Sequence, residues 1–188
     1  MSPDATIPAA LEPVLGRYAD LLLRWNAKIN LTAAGSRNDA LRHIADCMAF
    51  VQVIPLDTRR LVDVGSGGGL PAVVIAAARP EIEVVAVEPT NKKHAFLRTA
   101  SREIGLPNLR PVAARIEDFV EREFDVATSR ATFALDEWLS RGLALVRVGG
   151  AVIGMEAVVQ VALDGETTRQ TYDFDGKTRA IIVRRRAQ

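Results

Sequence analysis

The chemistry in this chain starts at Asp63-Val64-Gly65-Ser66-Gly67-Gly68-Gly69, where the apolar run Leu61 to Val64 gives way to a helical stretch opened by Pro71. Glycines at such a junction let the backbone turn tightly and let a ligand lie directly against it, while the following helix offers free N–H groups at its start. The dinucleotide fingerprint G-x-G-x-x-G/A fails over Gly65 to Leu70, although Gly67 to Ala72 fits its alanine variant. Asp63, two residues before the first glycine, puts a carboxylate where it can engage an amino-acid portion of a ligand. Glu88 stands nineteen residues beyond Gly69, at the end of the next apolar run, where a carboxylate can accept hydrogen bonds from both hydroxyls of an adenosine ribose. Loop and acid together imply a nucleoside cofactor.

To act together these residues must reach one edge of a common scaffold. Leu15, Tyr18, Leu22 and Trp25 recur at spacings of three and four, one apolar stripe of a helix over residues 14–26. Asn26 to Gly35 interrupts it, and Ser36 is placed to cap a second helix carrying Leu41, Ile44, Met48 and Val51 on one face, closed by Pro55 and Asp57. From Arg60 short strands alternate with helices. Strands are predicted at 61–64, 84–87, 109–113, 125–128 and 151–155, and helices at 72–78, 92–104 and 135–146. This alternation means a parallel sheet wound with right-handed crossovers. Val146 to Ile153 reads as the end of a helix, a Gly149-Gly150 turn and a strand. Asp164-Gly165 and Asp175-Gly176 are hairpin signals between β-rich runs at about 158–163, 167–172 and 179–183, so the sheet is expected to end in antiparallel strands.

Composition narrows the classes. The 188 residues, 48% hydrophobic and 25% charged, suit one domain with a substantial core, read as residues 1–57 forming an N-terminal helical cap and 58–188 the core. With 24 basic against 23 acidic residues the net charge is +1, which excludes a uniformly basic chain that coats phosphates, so a polyanion must be met by a local patch. The single Cys47 cannot close an intrachain disulfide and reads as a small buried hydrophobe, and no Cys/His cluster has metal-ligand spacing. The absence of a basic leader and of a stretch of ~18 apolar residues predicts a cytoplasmic chain with no membrane partner. Trp25 and Trp138 fit apolar helix faces and read as core, and His43 could orient Asp46 or cap a turn.

Asp63 to Gly69 resembles the acidic-x-Gly-x-Gly-x-Gly loop of class I S-adenosylmethionine-dependent methyltransferases. The resemblance sharpens over four separated stretches: Trp25-Asn26-Ala27-Lys28-Ile29-Asn30-Leu31-Thr32-Ala33, His43-Ile44-Ala45-Asp46, Asp63 to Pro71, and Ser129-Arg130-Ala131. Together they are similar to the bacterial 16S ribosomal RNA (guanine-N7) methyltransferase G family, also called glucose-inhibited division protein B, over about residues 15–156. The fold implied is α/β: Rossmann-like, a mostly parallel sheet with an antiparallel C-terminal edge, and an N-terminal helical cap. The implied activity is methyl transfer from S-adenosyl-L-methionine to N7 of a guanine in 16S ribosomal RNA, by a monomer acting on the RNA or the small ribosomal subunit. Alternatives are a methyltransferase with another RNA or small-molecule acceptor, and a cofactor-binding protein without catalysis.

Carried over by motif, the cofactor contacts are Asp63, Gly65, Gly67, Gly69 and Leu70 in the loop, Glu88, Pro89 and Thr90 after the second strand, Ile116 and Glu117 after the third, and Arg130. Arg130 is also the residue expected nearest the reacting centre, with a guanidinium suited to guanine O6 or a flanking phosphate. Lys92, Lys93, Arg98 and Arg102 form an expected RNA-backbone patch, and Arg184 to Arg186 a second basic cluster. The chain departs from the family after the fifth strand, where Met155-Glu156-Ala157 replaces Leu-Lys-Gly and puts an acid beside the presumed RNA face.

Overall fold

The computed structural model describes residues 6–156 and 162–187. Two helices come first, α1 (Glu12–Asn26) and α2 (Arg37–Val53). They are followed by β1 (Arg60–Val64), α3 (Ala72–Ala78), β2 (Glu83–Val87), α4 (Asn91–Ile104), β3 (Leu109–Val112) and β4 (Phe124–Ser129). The chain continues through α5 (Leu135–Arg141), β5 (Val146–Glu156), β6 (Thr167–Phe174) and β7 (Lys177–Arg185). One sheet holds all seven strands in the order β3-β2-β1-β4-β5-β7-β6. The first five are parallel, and β7 runs antiparallel to both β5 and β6.

Alternation along the strands sends side chains to two cores. Leu61, Val84, Ala86, Val126 and Ile153 join residues of α1, α2, α3 and α4 on one face, while Val62, Val64, Val85, Val87 and Val152 pack with Phe119, Phe124 and Trp138 on the other. Both faces are covered, which is why the strands read as continuous apolar runs. The two N-terminal helices therefore belong to one of the layers flanking the sheet.

Local chemistry explains most boundaries. Ser36 caps α2, its hydroxyl oxygen accepting from the Asp39 N–H at 3.1 Å. Gly105, with φ 79°, closes α4 in the left-handed region. At the β6–β7 hairpin Asp175 and Gly176 both have positive φ, 55° and 69°, as a two-residue primed turn requires.

Two expectations need correction. The helix expected over 135–146 stops at Arg141, a 3-10 turn spans Gly142–Ala144, and Val146 already begins β5 opposite Phe124. A Cβ on Gly142 would stand 2.5 Å from Val152, so the chain meets the sheet here too closely for a larger residue. Gly149-Gly150 is accordingly a kink inside β5, with Gly149 at φ 75° and the β4–β5 register shifting between Phe124 and Val126, and no turn separates helix from strand. The β-rich run expected at 158–163 falls largely outside the described residues, and Ala162 and Leu163 are not in a strand.

Candidate active site

Strand order reverses at β1, which lies between β2 and β4, and a crevice opens at such a point beyond the carboxyl ends of the strands. The glycine loop lies there. Gly65 and Ser66 donate their N–H groups to the Val87 carbonyl at 2.9 and 3.1 Å, and Gly67 N–H donates to Glu88 Oε2 at 2.9 Å. The other Glu88 oxygen accepts from Thr90 N–H at 2.8 Å, so this buried carboxylate clamps the loop to the start of α4. Gly67 has φ 52°, and a Cβ there would find no atom nearer than 3.8 Å, so the loop leaves open ground above its middle.

Asp63 is buried directly opposite Thr128 in the β1–β4 ladder, and Thr128 Oγ1 donates to its Oδ1 at 2.8 Å. Its Oδ2 is buried without a hydrogen-bond partner. Burial pushes the Asp63 pKa up to about 7. An orphaned acceptor beneath an open glycine loop fits a ligand that brings its own donor or positive charge.

Ser129-Arg130-Ala131 performs three tasks. Ser129 Oγ donates to the Val64 carbonyl at 2.8 Å and joins the ends of β4 and β1. Arg130 reaches back to α2, donating from Nη1 to Cys47 Sγ at 2.9 Å and to the His43 carbonyl at 3.4 Å. Ala131 takes φ 57° and turns the chain so that Thr132 Oγ1 donates to the Gly65 carbonyl at 3.2 Å. Asp46 lies near enough for its charge to help hold the Arg130 guanidinium protonated. Its oxygens accept from Tyr172 Oη at 2.8 Å and Arg179 Nη1 at 2.6 Å, which fastens α2 to the C-terminal hairpin. His43 instead meets Thr32 Oγ1 through Nδ1 at 3.1 Å, and burial followed by the nearby Arg130 charge lowers its pKa.

The N-terminal cap shapes the loop from outside. Asn26 Oδ1 accepts from Leu31 N–H at 2.9 Å and Thr32 N–H at 3.0 Å, and its Nδ2 donates to the Ala34 carbonyl at 3.4 Å. This fold of residues 27–34 brings Leu31 onto Gly68, where a Cβ would stand 2.9 Å from the Leu31 carbonyl oxygen. Tyr18 Oη, fully buried, donates to the Gly68 carbonyl. Tyr18, Cys47 and Thr128 escaped the sequence reading because each looks like a core or strand residue. The only signal was that a buried phenol needs a polar partner.

Asp63, Gly65, Gly67, Gly69, Leu70, Glu88, Pro89, Thr90 and Arg130 are thus gathered at one edge. Ile116 and Glu117 lie beyond β3, whose Val112 carbonyl accepts from Glu88 N–H at 3.0 Å; Ile116 is half-buried and Glu117 is exposed, paired with Arg141 at 2.9 Å. In the basic patch only Lys92 and Lys93 sit near this edge. Arg102 is ten residues further down α4, about 15 Å away, and 3.9 Å from Glu103. The C-terminal arginines lie apart from this edge: Arg184 and Arg185 pair with Val152 and Ala151, midway along β5 and away from its carboxyl end. Glu156 is also not an acid on an RNA face, since it is buried and holds Arg169 through both oxygens at 2.7 and 2.8 Å. Among the described residues no group of three or more His, Cys, Asp or Glu could hold a metal ion.

The strand order, the glycine loop and the acid after β2 define a class I methyltransferase fold, and an O-methyltransferase from Bacillus cereus solved in complex with SAH shares it, with TM-score 0.62 at 17% identity over 93% of this chain and 94% of that one. The family described as GidB, rRNA small subunit methyltransferase G, matches residues 12–181, and the chain belongs to that family. A ribosomal RNA small subunit methyltransferase G from Azoarcus sp. (strain BH72) is 39% identical over 81% of this chain and 72% of its own length. The protein of the same description from Psychrobacter cryohalolentis is 40% identical over 72% of this chain and 56% of its own length, so the chain spans little more than half of that relative.

Proposed function

We propose that this chain transfers a methyl group from S-adenosylmethionine to N7 of a guanine in 16S ribosomal RNA. The observation that carries the reading is the meeting of Asp63, the open glycine loop, Glu88 and Arg130 at one switch point in a chain of the rRNA small subunit methyltransferase G family. S-adenosylmethionine, when bound, supplies an electrophilic methyl group on a sulfonium. Asp63, with its unpartnered Oδ2, would hold the positively charged amino-acid end, and Gly65, Gly67, Gly69 and Leu70 would line the nearer surface. Glu88 would take the ribose hydroxyls, with Pro89 and Thr90 beside it and Ile116 and Glu117 toward the adenine.

Guanine N7 carries a free lone pair, so the chain need not remove a proton. Its task is positioning, which holds nucleophile, methyl carbon and leaving sulfur in line. Arg130, anchored by neutral acceptors on α2, would present its remaining N–H groups to guanine O6 or a flanking phosphate. Lys92 and Lys93 would meet the RNA backbone at the rim, with Arg98 and Arg102 below them. Residues 1–57 would serve as a cap and 58–188 as the catalytic core of a cytoplasmic monomer. Among the described residues no helix is long and apolar enough to cross a membrane.

The test is incubation of the chain and labelled S-adenosylmethionine with small ribosomal subunits from a strain lacking the modification. Label at guanine N7 of 16S RNA is expected. Label entering only another acceptor, or none although the cofactor binds, overturns the reading.

A further inference from the structure

A groove between α1 and α4 takes no part in the site described above. It is a cavity of about 330 Å3 lined by Leu21, Arg24, Trp25, Lys28 and Glu103. Leu21 is buried, and Trp25 is half-buried with its ring set edge-on to Phe96, centroids 5.6 Å apart and planes at 63°. The floor is therefore apolar and its indole is fixed in orientation. The walls are charged. Glu103 is already matched by Arg24 at 3.3 Å and Arg102 at 3.9 Å, whereas Lys28 is exposed on the turn that follows α1. The sum over the groove is positive. The sequence stretch from Trp25 to Ala33 is only partly explained by loop support, because Asn26 organises residues 27–34 while Trp25 and Lys28 face the groove.

We propose that this groove binds one nucleotide of the RNA strand flanking the target guanine, its base against Leu21 and Trp25 and its phosphate on Lys28. The inference rests on the RNA substrate proposed above. A cavity at the lower end of the range for small ligands admits a single base and excludes a duplex, and an aromatic platform beside cations is the usual means of holding single-stranded nucleic acid. The location suits a flanking contact. Lys28 is three residues from Leu31, at most about 11 Å of chain, and Leu31 lies against Gly68 of the glycine loop.

The experiment uses the full chain, S-adenosylmethionine and small subunits lacking the modification. Lys28→Glu and Lys28→Ala remove an exposed cation and leave the loop hydrogen bonds intact. Lys28→Glu is expected to raise KM for the subunit about fivefold to tenfold and to lower the salt dependence of binding by about one counterion, with kcat and KM for S-adenosylmethionine unchanged. A single-stranded 16S fragment containing the target should quench the fluorescence of Trp25, because Trp138 is buried. Unchanged subunit KM in both variants, with normal methyl transfer, overturns the groove and leaves the proposed function standing. Lost affinity for subunits with unchanged affinity for naked 16S RNA means that a protein occupies the groove, and this also overturns the proposal. Failure of wild-type chain to methylate 16S RNA defeats the proposed function and the groove with it.

Discussion

Asp63 couples the site to pH. Its carboxyl group is buried with one oxygen unpartnered, and burial raises its pKa to about 7, against about 3.9 in an unfolded chain. Between those values the folded chain holds a proton that the unfolded chain has released, so the contribution to stability is complete below about pH 4 and is lost as pH rises through about 7. The ligand-free chain is expected to lose melting temperature from pH 5 to 8, and Asp63→Asn to flatten that slope; an equal slope in the variant assigns the effect elsewhere. A cationic ligand favours ionised Asp63, so S-adenosylmethionine affinity should rise over pH 6 to 8 with proton release, measurable by calorimetry in buffers of different ionisation enthalpy. Arg130 supplies the second prediction at this scale. Burial pushes the Cys47 thiol up to about 11, so it is neutral at physiological pH and orients the guanidinium without cancelling its charge. Arg130→Ala should lower kcat/KM by about 10²- to 10³-fold, the scale for losing a preorganised donor. Cys47→Ser keeps an acceptor and should retain most activity, whereas Cys47→Asp introduces a competing carboxylate and should resemble the loss of Arg130.

At the scale of elements, the glycine loop owes its shape to a helix and a turn more than thirty residues upstream. Asn26 carries three backbone hydrogen bonds of the 27–34 turn. Asn26→Ala should therefore destabilise the chain by about 1–3 kcal/mol, at roughly 0.5–1.5 kcal/mol for each hydrogen bond and with incomplete loss. Differential scanning calorimetry will measure this. Gly68→Ala separates close approach from backbone strain, because its obstacle is the Leu31 carbonyl at 2.9 Å and its φ is not left-handed. The variant should bind S-adenosylmethionine at least several-fold more weakly; unchanged affinity would show that the turn can move away from the loop. The same scale explains the failed helix boundary after α5. Apolar residues from Leu135 to Val146 satisfy a helical period, but the space between Gly142 and Val152 and the pairing of Val146 with Phe124 are decided by the sheet.

Across the whole molecule the near-zero net charge divides by position. Arg184, Arg185 and Arg186 gather away from the site, where Arg184 meets Asp164 at 3.3 Å and Arg186 donates to the Val146 carbonyl at 2.5 Å. Lys92 is exposed at the carboxyl edge, where β2 passes into α4. Subunit affinity should fall in Lys92→Glu and stay unchanged in Arg185→Glu, and titrations at two salt concentrations will show whether only the first variant loses salt dependence. A loss in Arg185→Glu equal to that in Lys92→Glu would mean that RNA wraps past the sheet.

The alternation of strands and helices from β1 to β5, the glycine loop and the positions of Asp63 and Glu88 were legible in the sequence. Their information is local: apolar runs of a given period, glycines where a strand turns into a helix, and carboxylates at the ends of apolar runs. Tertiary structure alone decided which charges share an edge, since antiparallel pairing carries Arg185 back to Ala151, midway along β5. It also decided that Glu156 faces Arg169, that Tyr18 holds Gly68, and that Arg130 rests on Cys47. These contacts join residues far apart in the chain, and a buried polar group takes whichever partner the packed elements bring within reach.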